Sequence, residues 1–122
     1  MSEHAIRLMT VEEFLEWSLS QLLRHELVDG VPMAMADSKR RHDRIVMKLL
    51  SPLDQRLAGH HCLPFTADTA VRIPSGNIRR PDAGIDCGTY DDDAMSADAP
   101  LLVVEVLSPA TRDFDMFGKL DE

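Results

Sequence analysis

A short apolar run that encloses a single acidic residue constrains this chain more than any other stretch. Residues 101–107 have the sequence Leu-Leu-Val-Val-Glu-Val-Leu, a nearly continuous valine-rich segment that predicts a strand buried on both faces. Glu105 lies inside this segment. Burying an ionised carboxylate without a partner costs several kcal/mol or more, so Glu105 requires a cation, a proton or a network of hydrogen bonds.

The spacing of the chain places a second carboxylate near Glu105. If residues 81–87 and 101–107 are neighbouring antiparallel strands, Asp82 lies opposite Glu105, roughly 4.5–5.5 Å away at Cβ. Two carboxylates that close repel each other unless a cation lies between them, and a hard divalent cation is the natural occupant. The alternative is that Asp82 caps a turn after Pro81 while Glu105 pairs with a buried arginine, and the residues alone leave both open.

Length and composition predict one domain of the α/β or α+β class. The chain has 122 residues, of which 44% are apolar, enough for one core but not for two. Its net charge of −8 argues against coating nucleic acid by bulk electrostatics but allows a local basic groove. No apolar run approaches a membrane span and no signal peptide is recognised, so we expect a cytoplasmic location without membrane contact.

The cysteine content predicts reduced thiols. The chain has two cysteines, Cys62 and Cys87, which lack C-x-x-C spacing and indicate neither a disulfide framework nor a zinc knuckle. The neighbouring His60 and His61 invite a zinc site with Cys62. That site is disfavoured because closed zinc sites need four ligands at recognisable spacing.

Local signals predict a helix and a hairpin in the first third of the chain. Thr10 and Glu13 form a capping box, so a helix is expected from there to about residue 19 or 23, with Leu19 facing inward. The dipeptide Asp29-Gly30 between two apolar runs is a strong hairpin signal. Glu26, in the first strand of this hairpin, is predicted to be solvated.

A second helix is predicted from residue 39 to about residue 57, with Ser38 at its start and an apolar stripe along one side. Pro52 is expected to kink or split it, and His42 lies on its first turns. Its other side is strongly basic, which makes it the one credible phosphate-contacting surface of this acidic chain. The basic residues are Lys39, Arg40, Arg41, Arg44, Lys48 and Arg56.

The rest of the chain is predicted to contain strands, an acidic loop and a last helix. Strands are expected near residues 62–66 and 70–73, and the loop at residues 88–100 should be exposed and mobile. A helix should follow Ser108, with Asp115 and Lys119 on one face.

These motifs together resemble the Uma family of restriction endonuclease-like proteins, which have the PD-(D/E)xK nuclease fold. The resemblance rests on His-Glu-Leu-Val-Asp-Gly at residues 25–30, a histidine near the start of the next helix, Arg-Pro-Asp at residues 80–82, Val-Glu-Val-Leu-Ser-Pro at residues 104–109, and Lys119. It covers the chain from about Met9 to its end. It implies a restriction endonuclease-like α+β core with a mixed β-sheet flanked by helices.

The resemblance also implies an activity and roles for individual residues. Asp82 and Glu105 would hold Mg²⁺, for which Mn²⁺ can substitute, and Lys119 would steady the attacking water or the phosphorane. Glu26 and His42 would be secondary members of the site. The chain would be a Mg²⁺-dependent DNA endonuclease, with DNA guided by the helix residues Lys39, Arg40, Arg41 and Arg44 and by Arg80.

Two departures from the family pattern support an alternative function. In the usual motif a lysine follows the glutamate on the same strand face, where this chain has Leu107. The chain is also expected to lack the C-terminal portion of the family, which would leave a sheet edge that a homodimer could cover. The alternative is a catalytically degenerate nuclease-fold domain that serves as a binding or dimerisation module.

Overall fold

The predicted α+β class is confirmed by a computed structural model, which describes residues 7–107. Two helices and seven strands form in this part of the chain. In chain order they are α1 (Val11–Ser18), β1 (His25–Val28), β2 (Val31–Ala34), α2 (Arg40–Arg56), β3 (Leu63–Thr66), β4 (Val71–Arg72), β5 (Ile78–Arg79), β6 (Ala83–Asp86) and β7 (Pro100–Val104). Asp115 and Lys119 lie outside the described residues.

The strands form two antiparallel sheets. A four-stranded sheet has the order β2-β1-β5-β4, and a three-stranded sheet has the order β3-β6-β7. A single parallel bridge within the described residues joins Ala70 to Ser96. The main core lies between α1 and the four-stranded sheet, because Phe14 and Leu15 of α1 pack with Leu27, Ala70 and Ile78.

The helix α1 begins as the sequence predicts. The Thr10 side chain accepts a hydrogen bond from the Glu13 backbone N–H, and the Glu13 carboxylate accepts one from the Thr10 N–H. The helix ends at Ser18, and Leu19 is 72% exposed. The expectation that Leu19 faces the core is therefore wrong, since the helix stops before the next inward position.

The hairpin at Asp29-Gly30 is confirmed. Strands β1 and β2 pair from His25↔Ala34 to Val28↔Val31, and both turn residues have positive φ, 50° at Asp29 and 81° at Gly30. Positive φ at both central residues is the requirement of the hairpin turn that Asp-Gly favours. The second strand lies at the edge of its sheet. A proline, which has no backbone N–H to donate, is tolerated there because an edge strand pairs on one side only.

The start of helix α2 differs from its prediction. It begins at Arg40 with Lys39 in the capping position and without a side-chain capping bond, so Ser38 is not its cap. Of the two effects expected of Pro52, a kink or a split, the split does not occur, because one helix runs through this residue. None of its residues is buried.

The strand β7 is shorter and more exposed than its sequence predicts. It ends at Val104, so Glu105 follows the strand, and it occupies an edge of the three-stranded sheet. Leu101 is 73% exposed and Val103 is 47% exposed. The expectation of a strand buried on both faces is therefore wrong within the described residues, since an edge strand packs against one neighbour only.

The two cysteines are joined in a disulfide, which corrects the expectation of reduced thiols. Strands β3 and β6 pair with Leu63 opposite Asp86, so one further step of this register sets Cys62 opposite Cys87. The pairing joins segments that are 25 residues apart, and local sequence patterns do not specify which strands become neighbours.

The acidic loop after β6 is tied to the protein rather than uniformly exposed. Asp86 accepts hydrogen bonds from the backbone N–H groups of Gly88, Asp98 and Ala99, and Ala97 is 8% exposed. Within residues 7–107, no helix is long and apolar enough to cross a membrane.

Candidate functional site

The predicted antiparallel pairing around Asp82 is present. Strands β6 and β7 pair with Ala83 opposite Val104, Gly84 opposite Val103 and Ile85 opposite Leu102. One further step of this register brings Asp82 opposite Glu105, at the end of both strands. The register therefore sets the two residues opposite each other, and Glu105, just past the end of β7, is partly exposed.

Two contacts hold the Asp82 carboxylate. Its Oδ2 accepts a hydrogen bond of 2.7 Å from the Val106 N–H and lies 3.2 Å from His42 Nε2 of α2. The Asp82 and His42 side chains are 16% and 18% exposed. The helix α2 thereby positions the end of β6.

A cavity of about 570 Å³ opens beside this pair. Its wall combines β1, β2, one side of α2 and the ends of β6 and β7. Asp82, Glu105, His42 and Glu26 all line it, so the structure brings together the residues that the resemblance assigned to the primary and secondary site. Lys119, assigned to the same site, lies outside the described residues.

Glu26 is buried and ion-paired, so the prediction of a solvated side chain is wrong. The residue is 7% exposed, its Oε1 lies 3.4 Å from Arg79 Nη1, and its Oε2 accepts a 2.7 Å bond from the Arg80 N–H. Burying a charge is tolerated where a partner and hydrogen bonds compensate it. Glu26 therefore anchors the chain segment that leads into Pro81-Asp82.

Arg80, predicted as a DNA contact, is largely buried and lines the same cavity. It is 6% exposed, and its guanidinium donates hydrogen bonds to the carbonyl groups of His25, Ala67 and Asp68. Burial lowers the pKa of Arg80 from its ordinary value, and the charge of Arg24 lowers it further. A side chain held by three carbonyl groups fixes the geometry of the protein and is not directed at solvent.

The predicted basic surface of α2 is exposed but turned away from the cavity. Successive helical residues are rotated by about 100°, and the cavity side of α2 carries His42, Val46 and Leu50. Arg41, Arg44 and Lys48 project from the opposite side and Arg40 lies between the two sides; they and Lys39 are exposed. These cations therefore flank the cavity at a distance and do not line it.

A cation at the cavity that the sequence did not single out is Arg24. It lines the cavity, its side chain is 52% exposed, and its Nη1 lies 2.9 Å from the Asp68 carboxylate. It lies in the irregular segment just before β1, where no motif distinguishes it from other surface arginines. Its place in the wall that Asp82 also lines depends on the packing of segments that are distant in sequence.

The chemistry of the donors fits a hard divalent cation. Asp82 and Glu105 supply carboxylate oxygens, and Mg²⁺ is typically held by one or two carboxylates together with waters and substrate phosphates. Within residues 7–107, these two carboxylates do not form a cluster of three ligand atoms with a third residue; such a cluster occurs at His61, Cys62 and Cys87. The acidic pair therefore suits a cation that keeps much of its water.

Comparison with known proteins identifies the family of this chain. A family model described as "Putative restriction endonuclease" matches residues 11–122. The chain belongs to the Uma2 family. An uncharacterized Synechocystis protein, slr1290, is 33% identical to this Uma2 protein over 113 residues, which are 91% of this chain and 60% of the relative. The family resemblance of the sequence is thus confirmed.

A solved structure shares the fold of this Uma2 chain. It is described as a "putative nuclease belonging to DUF820" from Anabaena variabilis, and it matches with a TM-score of 0.67 and 15% identity over 91% of this chain. At that identity the likeness concerns the fold. The chain spans 60% of the Synechocystis relative and 65% of the Anabaena protein.

Proposed function

We propose that this Uma2 protein is a metal-dependent nuclease that hydrolyses phosphodiester bonds of DNA, with Asp82 and Glu105 as its metal ligands. The observation that carries this proposal is the register of β6 and β7, which sets the two carboxylates opposite each other at the edge of one cavity. Membership of a family described as restriction endonucleases supports the reaction class. The fold alone would not support this reaction class, because proteins with unrelated functions share folds.

The residues of this chain have distinct tasks in the proposed reaction. Asp82 and Glu105 would hold Mg²⁺, or Mn²⁺ in its place. When bound, such an ion lowers the pKa of its water and polarises a phosphoryl oxygen. The Val106 N–H and His42 Nε2 hold the Asp82 carboxylate in place, so His42 is a positioning residue. Lys119 would supply the cation that offsets charge developing on the phosphate.

Positively charged side chains at and around the cavity would attract DNA. Arg24 lies at the cavity itself, and Lys39, Arg40, Arg41 and Arg44 would bind phosphates farther along the backbone. Such contacts are independent of sequence and give affinity rather than specificity. A cytoplasmic location and a homodimer remain part of the proposal, and the exposed apolar edge strand β7 supports self-association.

Titration calorimetry with Mg²⁺ and Mn²⁺ tests the metal site. The wild type is expected to bind one ion, and Asp82→Ala and Glu105→Gln are each expected to weaken binding by at least about tenfold, since the first removes a ligand and the second removes the negative charge of the other ligand. Asp54→Asn, which removes an exposed carboxylate of α2 outside the cavity, is the matched control and should bind like the wild type. Equal binding by Asp82→Ala and wild type would contradict the site.

Cleavage of plasmid DNA in Mg²⁺ then tests the activity. The wild type should convert supercoiled DNA to nicked or linear forms, and Asp82→Ala should not. A wild type that binds metal at Asp82 but leaves DNA intact would favour the alternative, a non-catalytic nuclease-fold module.

A further inference from the structure

A second group of ligand atoms lies at the other end of β6. The imidazole of His61 and the sulfurs of Cys62 and Cys87 all lie within 4.8 Å of one another. The register of β3 and β6 brings the two cysteines opposite each other. The turn at Gly59, with φ of 83°, redirects the chain after α2 and delivers His61 to the same place.

This group is separate from the acidic site. Asp82 precedes β6 and Cys87 follows it, so about 16 Å of extended chain lie between them at roughly 3.3 Å per residue. The two sites also differ in chemistry, because carboxylate oxygens prefer hard cations and thiolates prefer softer ones. Any function of the second group is therefore independent of the proposed nuclease.

We propose that His61, Cys62 and Cys87 form a redox-controlled Zn²⁺ site, in which the disulfide is the metal-free state and the reduced dithiol is the metal-binding state. Two thiolates and one imidazole are ligands that Zn²⁺ accepts, with a fourth position left for water or an external ligand. Sequence spacing alone did not identify this set, because Cys87 joins it only through strand pairing.

The distances agree with tetrahedral coordination. Zn–S bonds of about 2.3 Å and Zn–N bonds of about 2.0–2.1 Å place the sulfur and nitrogen of a tetrahedral site about 3.6 Å apart. His61 Nε2 lies 3.6 Å from Cys62 Sγ. Reduction lets the two sulfurs part, and the imidazole is already beside one of them.

The surroundings allow exchange with solvent. His61 is exposed, Cys62 and Cys87 are partly exposed, and the contact with Cys62 is the one that the His61 ring makes within the described part of the chain. A reductant and a metal ion can both reach such a group.

The disulfide and the metal-bound dithiol interconvert by steps in which every reactant is defined. A dithiol reductant attacks the Cys62–Cys87 bond by thiol–disulfide exchange, supplies two electrons and two protons, and is itself oxidised to a disulfide. Zn²⁺ binding then displaces the protons of the two thiols, because the thiolate is the metal ligand. After the metal leaves, a small-molecule disulfide restores the Cys62–Cys87 bond by the reverse exchange; it takes up the two electrons and two protons and becomes a dithiol.

Cobalt binding to the full chain tests this site. The protein is reduced with a phosphine, freed of reductant, and titrated with Co²⁺ in the absence of oxygen, followed by Zn²⁺. We expect thiolate-to-cobalt charge-transfer absorption that saturates at one ion per chain and disappears when Zn²⁺ displaces Co²⁺. The oxidised protein should show no such absorption.

Variants assign the ligands. Cys62→Ser and Cys87→Ser should each weaken Co²⁺ binding by at least about 10–100-fold, the loss seen even for outer partners of metal ligands. His61→Ala changes an exposed side chain, so it leaves the fold intact and should also weaken binding. His60→Ala, its exposed neighbour, is the matched control and should bind like the wild type.

Three results would overturn the proposal. They are the absence of thiolate-to-cobalt absorption in the reduced wild type, wild-type affinity in Cys87→Ser, and equal affinity in His61→Ala and His60→Ala. None of them bears on Mg²⁺ binding at Asp82, so failure here and failure of the nuclease proposal are distinguishable.

Discussion

At the scale of single residues, Glu26 and Arg79 bury opposite charges side by side. Their side chains are 10% and 9% exposed, and Oε1 lies 3.4 Å from Nη1. The same carboxylate accepts the Arg80 N–H, so it holds both the side chain and the backbone of the segment before Asp82. A buried pair of this kind adds little net stability, but breaking it is costly because one buried charge loses its compensation.

We therefore expect Glu26→Ala to destabilise the protein by about 3–5 kcal/mol. Urea unfolding followed by circular dichroism measures this change. Arg24→Ala is the control, since its ion pair with Asp68 is solvent-exposed and such pairs contribute about 0–1 kcal/mol. Similar losses in both variants would contradict the structural role assigned to Glu26.

The error in predicting Glu26 has a physical cause. Exposure statistics favour a solvated glutamate, but they do not include a partner that is 53 residues away in the chain. The same limit hid Arg24 and the burial of Arg80, whose hydrogen-bond acceptors His25, Ala67 and Asp68 are distant from it in the chain. Side-chain environments that depend on distant strand pairing are not encoded in local spacing.

At the scale of elements, β6 is the strand on which both candidate sites depend. It lies between β3 and β7, and Gly84 at its centre lies under the ring of Phe65. A Cβ added at Gly84 would clash with that ring. The close approach explains a glycine in the middle of a strand, where its flexibility would otherwise weaken the sheet.

Gly84→Ala is expected to destabilise the protein by about 1–3 kcal/mol, because it overpacks the contact with Phe65. Adding Phe65→Leu, which removes the ring, should recover part of the loss. Unfolding free energies of the two single variants and the double variant give the coupling between the positions. Purely additive changes would contradict a direct clash.

The end of β6 also organises the acidic loop through Asp86. Burial raises the pKa of this carboxyl, but hydrogen bonds from the backbone N–H groups of Asp98, Ala99 and Gly88 outweigh it, so the pKa falls below its ordinary value of 3.8. A lowered pKa in the folded state means that the ionised form stabilises the fold. This stability is present above the ordinary pKa and is lost as the pH falls through the lowered one.

We expect Asp86→Ala to destabilise the protein by about 1–3 kcal/mol at neutral pH, because three backbone donors lose their acceptor. Asp86→Asn should be milder, since it retains the Oδ1 acceptor used by Gly88 and Ala99. Melting temperatures measured from pH 7 down to pH 2 should converge between wild type and Asp86→Asn at the acid end. A difference that does not depend on pH would contradict the charge-based explanation.

The elements that the sequence predicted correctly are those whose signals are local. The capping box of α1 and the hairpin at Asp29-Gly30 each follow from residues close to the feature, and the pairing of β6 with β7 joins two strands that are consecutive along the chain. The pairing of β3 with β6, and with it the Cys62–Cys87 bond, was missed because no short pattern selects one distant strand as a partner. The length and burial of β7 were missed because edge position is a property of the whole sheet.

At the scale of the whole molecule, charge is distributed unevenly. The chain carries a net charge of −8, yet Arg40, Arg41, Arg44 and Lys48 form an exposed basic face on α2. That face points away from the cavity, which holds Asp82 and Glu105. The acidic remainder of the surface repels DNA, and the basic face attracts it. These two opposing long-range forces would set the orientation in which DNA approaches the protein.

This arrangement predicts how DNA binding depends on salt. If Arg41 and Arg44 each neutralise one phosphate, changing both to Gln should reduce the slope of log K against log[salt] by about 1.8, since each contact contributes about 0.9. Fluorescence anisotropy with a labelled duplex in Ca²⁺, at several salt concentrations, measures the slope. Changing Arg7 and Arg72, exposed arginines outside α2, to Gln alters the net charge equally and should leave the slope nearly unchanged. Equal effects of the two pairs would mean that overall charge, and not the face of α2, governs binding.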